Sequence, residues 1–132
     1  MKLINPFGPK IAVLKIPKKL IKKINNEFEK ILSSQKLLNK RDYSKKLVGQ
    51  VSQEIELSKK FIDKNLKKYV QKSINEYLLK SIKKKSNIIK IKNLWIVRQF
   101  KNDYNPIHFH NGDISGVGYL KIPKNLTKGN KQ

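Results

Sequence analysis

The segment Tyr104-Asn-Pro-Ile-His108-Phe-His110-Asn-Gly-Asp113-Ile-Ser-Gly-Val-Gly-Tyr119-Leu120 decides how this chain is interpreted. It holds both histidines of the protein, one residue apart, and Asp113 follows three positions after the second. On an extended backbone, the side chains at i and i+2 point to the same side. The spacing predicts that His108 and His110 direct both imidazoles into one concavity and can offer two nitrogens to one metal ion. The alternative is an exposed or hydrogen-bonded pair near a turn.

The residues around this pair predict a run of short strands. Residues 94–100 are rich in β-branched and aromatic side chains, which favour a strand. Residues 102–106 form a turn pattern, and Asn111-Gly112 can adopt the positive φ of a tight turn. We therefore expect short strands at 107–110 and at 114–122, the second of which ends at Pro123.

The upstream part of the chain combines strands with two amphipathic helices. Residues 11–16 and 51–57 have strand patterns, and 88–91 form a further strand or a lead-in. One helix opens at Pro17 and ends near Ser33-Ser34; a second begins after Ser58, a good N-cap, and fades near Lys84. Residues 35–46 are a connector with some helical tendency. The prediction is a single α+β domain, 1–132, with two amphipathic helices packed on an antiparallel sheet.

Composition limits the classes of protein to which this chain can belong. The chain is 38% hydrophobic, enough for a core, and has no cysteine, so disulfides and thiolate metal sites are excluded. No apolar run approaches a membrane span or a signal peptide, which predicts an intracellular, cytoplasmic protein. The net charge is +22, yet only Arg41 and Arg98 are arginines. Such a lysine excess favours weak, non-specific attraction to polyanions over a dedicated nucleic-acid site.

Three runs of sequence resemble a known enzyme family. They are Trp95-Ile-Val-Arg-Gln-Phe100, Asn105-Pro-Ile-His-Phe-His110 and Ile114-Ser-Gly-Val-Gly-Tyr-Leu-Lys-Ile-Pro123. Together, over residues 94–123, they resemble the first half of the catalytic barrel of a small Fe(II)/2-oxoglutarate-dependent dioxygenase, of the short type found in phages and marine bacteria. The resemblance implies that the sheet forms the first part of a double-stranded β-helix, or jelly roll. It also implies Fe(II) and 2-oxoglutarate as cofactors and hydroxylation of an unidentified substrate.

The resemblance assigns roles to residues of this segment. His108 matches the first metal ligand of the family, and His110 stands where the family has an acid. Asp113 is the nearby carboxylate that can restore a two-histidine, one-carboxylate set, with Asp103 as a weaker candidate. Tyr104 and Tyr119 are candidates for binding the cofactor carboxylate, although packing is the alternative for both. The small residues of 115–118 fit either a close ligand or tight packing.

The chain departs from the family after this segment. No histidine follows His110 and no arginine follows Arg98, so the distal histidine and the basic residue that pairs with 2-oxoglutarate have no counterparts. We interpret the sequence as the N-terminal portion of a dioxygenase domain and expect the chain alone to be catalytically inactive. The competing hypotheses are a basic, non-catalytic polyanion-binding or nucleic-acid-binding protein and a poorly folding remnant.

Overall fold

A computed structural model of the protein describes residues 1–8, 10–44 and 50–123. Within these ranges the chain forms four helices and two small antiparallel sheets, which confirms the predicted α+β class. In chain order the elements are β1 Lys2–Ile4, β2 Ile11–Val13, α1 Lys18–Leu32, α2 Gln35–Arg41, β3 Gln53–Glu56, α3 Lys59–Asn65, α4 Lys67–Ile82 and β4 Trp95–Arg98.

The first sheet is an N-terminal hairpin that the sequence indicated only in part. β2 occupies the first half of the strand predicted at 11–16, and it pairs with β1, which was not predicted. Backbone carbonyls just before and after β2 accept hydrogen bonds from two tyrosines of α4: Tyr77 Oη donates to Lys10 at 2.9 Å and Tyr69 Oη to Lys15 at 3.4 Å. The hairpin therefore lies along α4.

The first predicted helix is confirmed. α1 begins directly after Pro17, whose fixed φ suits a helix start, and it ends at the Ser33 cap. Its apolar stripe buries Leu20, Ile24, Phe28 and Ile31 in the core. The following connector contains a real helix, α2, because the Ser34 side chain accepts the Leu37 backbone N–H at the N-terminus. The last two residues of the predicted connector lie outside the described residues.

The second predicted helix is two helices. Ser58 caps α3 as predicted, since its hydroxyl accepts the Phe61 N–H at 3.1 Å. The helix then breaks at Leu66, which is only 2% exposed and has φ −113°. Asn65 Nδ2 donates to the Phe61 carbonyl at 3.2 Å, a local side-chain bond of the kind that competes with helical backbone bonding. α4 then runs until Lys83 adopts a left-handed conformation.

The second sheet, β3 and β4, forms the centre of the molecule. The two strands are antiparallel, with Ile55 opposite Ile96 and Glu54 opposite Val97. Ile55 is fully buried and packs with Ile96 against the helices, so this face belongs to the core. Directly opposed residues share a face, and faces alternate along a strand. The other face of the sheet therefore presents Glu54 and Val97, with Trp95 two residues away.

The strands predicted at 107–110 and 114–122 are wrong, and 88–91 is also not a strand. A strand needs a neighbour that satisfies its backbone groups, and none of the described residues pairs with 107–122. The segment instead runs as irregular chain with bends at 111–113. The jelly roll accordingly stays a prediction. Gly118 approaches Ile16 so closely that an added Cβ would lie 2.9 Å from its Cδ1, which favours packing as the reason for small residues there.

Within the described ranges, no helix is both long enough and apolar enough to cross a bilayer.

Candidate metal centre

The histidine segment is anchored by the turn that precedes it. Asp103 accepts hydrogen bonds from the Phe100 N–H, the Ser52 N–H and the Ser52 hydroxyl, all at 3.0 Å. These donors, the Phe100 N–H first, lower the pKa of Asp103. Two backbone bonds between Tyr104 and Gln50 then extend the sheet by one isolated bridge. Asp103, a weak ligand candidate from the sequence, is thus a structural residue that fixes where the histidine segment leaves the sheet.

The two histidine rings converge, as their spacing predicted. The Nε2 atoms of His108 and His110 lie 3.1 Å apart, and the rings meet edge to face with centroids 4.6 Å apart. The rings are therefore on the same side of the segment although its backbone is not a strand. His110 also packs against Trp95 of β4, with ring centroids 5.7 Å apart. This contact holds the pair over the sheet face that carries Trp95, Val97 and Glu54.

The hydrogen bonds of His108 define its tautomer. Its Nδ1 lies 2.7 Å from the Pro106 carbonyl oxygen, which can only accept, so Nδ1 carries a proton. In the neutral ring, Nε2 is then left with a free lone pair that faces His110. Without a metal, His110 Nε2–H can donate to that lone pair. Metal-binding histidines commonly have this arrangement, in which a carbonyl holds one ring nitrogen and directs the other toward the ion.

The separation of the two nitrogens fits a shared metal ion. Two imidazole nitrogens that each lie about 2.1 Å from one ion and meet it near a right angle are about 3 Å apart. The observed 3.1 Å between the Nε2 atoms matches this value. The donor chemistry also fits, because neutral imidazole suits Fe(II) and other first-row metals. The described residues do not, however, include three histidine, cysteine or carboxylate side chains already arranged to hold a metal.

The other predicted site residues are not gathered with the histidines. Asp113 is exposed, lies in the bend at 111–113, and does not join the imidazoles in a three-ligand group among the described residues. Tyr104 contributes its backbone to the sheet bridge while its side chain is 52% exposed, and Tyr119 is 72% exposed. Their assignments as metal or cofactor ligands stay predictions. Arg98 is exposed, and its guanidinium lies over the Phe100 ring at 4.8 Å from the centroid.

Glu54 is a buried carboxylate that the sequence did not indicate. The alternation of residues 51–57 assigned Glu54 to a polar, outward face, yet it is only 3% exposed. Its Oε2 atom is buried and has no hydrogen-bond partner in the part of the chain that the structure describes. Nothing in the alternating pattern could have revealed this, because burial of Glu54 requires cover on the face opposite the helical core.

Burial dominates the titration of Glu54. Loss of hydration raises the pKa of this carboxyl, the nearby His108 acts in the opposite direction, and Asp42 adds a smaller upward effect. Asp42 is less free to act as a ligand, since its Oδ1 accepts the Ser44 N–H at 2.9 Å.

Comparison with known proteins finds no match: no protein-family model, no curated protein and no solved structure is significantly similar to this chain. The resemblance to the dioxygenases therefore stays a prediction from the sequence.

Proposed function

We propose that this chain belongs to an Fe(II)- and 2-oxoglutarate-dependent dioxygenase that hydroxylates an organic substrate, and that His108 and His110 bind its metal. The observation that carries the proposal is the 3.1 Å separation of the two Nε2 atoms, together with the Pro106 carbonyl that fixes the His108 tautomer. The motif resemblance over residues 94–123 supplies the particular metal and co-substrate. When bound, the iron would supply the oxidative chemistry that couples decarboxylation of 2-oxoglutarate to substrate hydroxylation.

The residues of the chain have limited tasks in this proposal. His108 and His110 hold the ion, Trp95 packs against one of the rings, and Asp103 fixes the start of the segment. Tyr104 and Tyr119 stay candidates for contact with 2-oxoglutarate. The jelly roll belongs to the same proposal. Because the distal histidine and arginine have no counterparts, we expect metal binding without turnover from these 132 residues.

The test is a titration of the metal-free protein with Fe(II) under anaerobic conditions, repeated with Co(II) as an oxygen-stable probe. The wild type should bind one equivalent of metal, and His108→Ala and His110→Ala should each lose most of the affinity. Asn111→Ala is the matched control, because it alters a polar neighbour on the same segment without removing a proposed ligand. Equal affinity in the wild type and both histidine variants would reject the proposal.

The competing function is non-specific binding to polyanions, and its supporting observation is uncompensated charge. The net charge is +22, while the ion pairs of the described residues involve only Lys67, Lys80 and the N-terminal amine as cations. Most lysines there are therefore free to attract phosphates, with an affinity that salt should suppress. This attraction is compatible with a metal site, but it does not require one.

A further inference from the structure

The surface between the start of α1 and the junction of α3 with α4 carries a dense group of lysines. Residues 18–24 contain four lysines and no carboxylate, and residues 59–72 contain six lysines and one carboxylate, Asp63. We propose that this surface binds the phosphodiester backbone of a nucleic acid without reading its sequence. The proposal is independent of the metal site, and it assigns the attraction of this basic chain for polyanions to one place on the fold.

Two hydrogen bonds place these two lysine-rich segments side by side. Lys23 Nζ, in the second turn of α1, donates to Asn65 Oδ1 at 3.1 Å. Tyr69 Oη, in the first turn of α4, donates to the backbone carbonyl of Lys15 at 3.4 Å, just before α1 begins. The start of α1 therefore lies against the α3–α4 junction, and lysines from distant parts of the sequence meet on one surface.

We define the lysine surface as Lys19, Lys23, Lys64 and Lys68. Lys19 and Lys23 are four residues apart and project from the same side of α1. Lys64 and Lys68 lie on either side of Asn65, the residue that Lys23 contacts. All four lysines are exposed, and none takes part in an ion pair among the described residues. The ammonium of Lys23 has three N–H donors, so two remain available for a ligand.

The described part of the chain leaves the charge of the lysine surface uncompensated. Asp63 lies 3.7 Å from Lys67 and so neutralises a lysine outside the group of four. Lys19 and Lys23 repel each other, and Lys19 also lies in the first turn of α1, where the helix dipole disfavours a cation and no acidic residue is present. A bound polyanion would relieve both effects and would release its own counterions, which drives binding to a nucleic-acid backbone.

The lack of exposed apolar side chains favours a nucleic acid as the partner. Among the described residues of 15–78, no large hydrophobic side chain is exposed. Binding to a membrane surface uses apolar residues that enter the headgroup region, and protein interfaces have an apolar centre. Interfaces with nucleic acids are more polar and more positive. Lysine is a point charge without the planar fork of arginine, so we expect contacts with phosphates, which position a nucleic acid but carry no sequence information.

The test is fluorescence anisotropy of a labelled, mixed-sequence DNA duplex over a range of salt concentrations, with a chelator present. Two double variants remove the proposed contacts: Lys19→Gln/Lys23→Gln and Lys64→Gln/Lys68→Gln. The matched control, Lys36→Gln/Lys40→Gln, removes the same charge from two exposed lysines at the same spacing on α2.

Each surface variant should lose at least about tenfold in affinity at about 100 mM salt, because two phosphate contacts are removed. The slope of log affinity against log salt concentration should also become shallower by about two. The control should keep the wild-type slope and lose less than about threefold in affinity, because salt screens charges that do not contact the DNA.

Equal losses in the control and in the surface variants would show that the attraction is spread over the whole chain and would overturn the proposal. Unchanged affinity in both surface variants would also overturn it. So would tighter binding to phosphatidylserine vesicles than to DNA with the same dependence on these lysines, which would assign the surface to a membrane. Circular dichroism establishes that each variant is folded, and the Lys64→Gln/Lys68→Gln variant keeps the Lys23–Asn65 hydrogen bond. His108→Ala should bind DNA as the wild type does, so this test and that of the metal site fail separately.

Discussion

Replacement of Glu54 by methionine should stabilise the metal-free protein. Glu54 is 3% exposed and its Oε2 lacks a partner among the described residues, so folding removes a polar group from water without replacing its hydrogen bonds. Methionine has a similar length and no such requirement.

The size of the effect follows from the cost of an unsatisfied buried polar group. That cost is about 1–3 kcal/mol, and removal of both the group and its charge should recover a similar amount. With a urea dependence of about 2 kcal/mol per M, the unfolding midpoint of Glu54→Met should rise by about 0.5–1.5 M. The comparison is made at pH 8.

The pH dependence provides a second, signed prediction for the same pair of proteins. Burial raises the pKa of Glu54 in the folded state, so the folded protein holds this proton more tightly than the unfolded chain. The cost of burying the charged Glu54 carboxylate is therefore complete above the folded pKa, and it is relieved as the pH falls through that value. The stability advantage of Glu54→Met should be largest at pH 8 and should shrink toward pH 5.

The assay is urea unfolding followed by circular dichroism in the presence of a chelator. Glu56→Met is the matched control, since Glu56 is on the same strand and face but is only half-buried. It should shift the midpoint little. A clear loss of stability in Glu54→Met at pH 8, with no change in Glu56→Met, would show that the carboxylate is satisfied in the folded protein and would refute the reasoning.

Three other predictions concern the frame of the site and the charge of the chain. Ile55→Ala should destabilise the protein by about 2–5 kcal/mol in urea unfolding, because Ile55 is 0% exposed at the centre of the core; Ile88→Ala, at a residue 76% exposed, should change little. Asp103→Asn should reduce stability at neutral pH, because hydrogen bonds favour the charged form of Asp103. For the same reason, wild-type stability should fall as the pH drops through the lowered pKa of Asp103. The same pH profile of stability in the variant would contradict this prediction. Fluorescence anisotropy with mixed-sequence DNA should show affinity falling at least about 100-fold between about 50 mM and about 200 mM salt, and sequence-selective binding that persists at high salt would favour a dedicated nucleic-acid function.

The sequence predicted the elements whose signals are local. The stripe of α1, the proline before it and the Ser58 cap all depend on neighbours within one or two turns, and each is found in the structure. The convergence of His108 and His110 is also local, since one intervening residue limits how far the rings can separate. These features need no knowledge of distant parts of the chain.

The misplaced features depend on contacts between distant residues. The strands at 107–110 and 114–122 have suitable composition, but a strand forms only where another one pairs with it. The break at Leu66 lies inside a continuous apolar stripe, so periodicity alone could not reveal it. Glu54 is the clearest case: its alternating pattern indicated a solvent-facing side chain, and only the packing on the second face of the sheet makes it buried.

X-ray absorption at the iron edge of the anaerobic Fe(II)-loaded protein tests the central claim most directly, because it reports the atoms bound to the metal. Imidazole ligands give a distinctive scattering pattern, so their number can be compared between the wild type, His108→Ala and His110→Ala. We predict two imidazoles on the iron in the wild type and one fewer in each variant. A wild-type spectrum with oxygen ligands alone, or one that neither substitution changes, would contradict a metal centre built on His108 and His110.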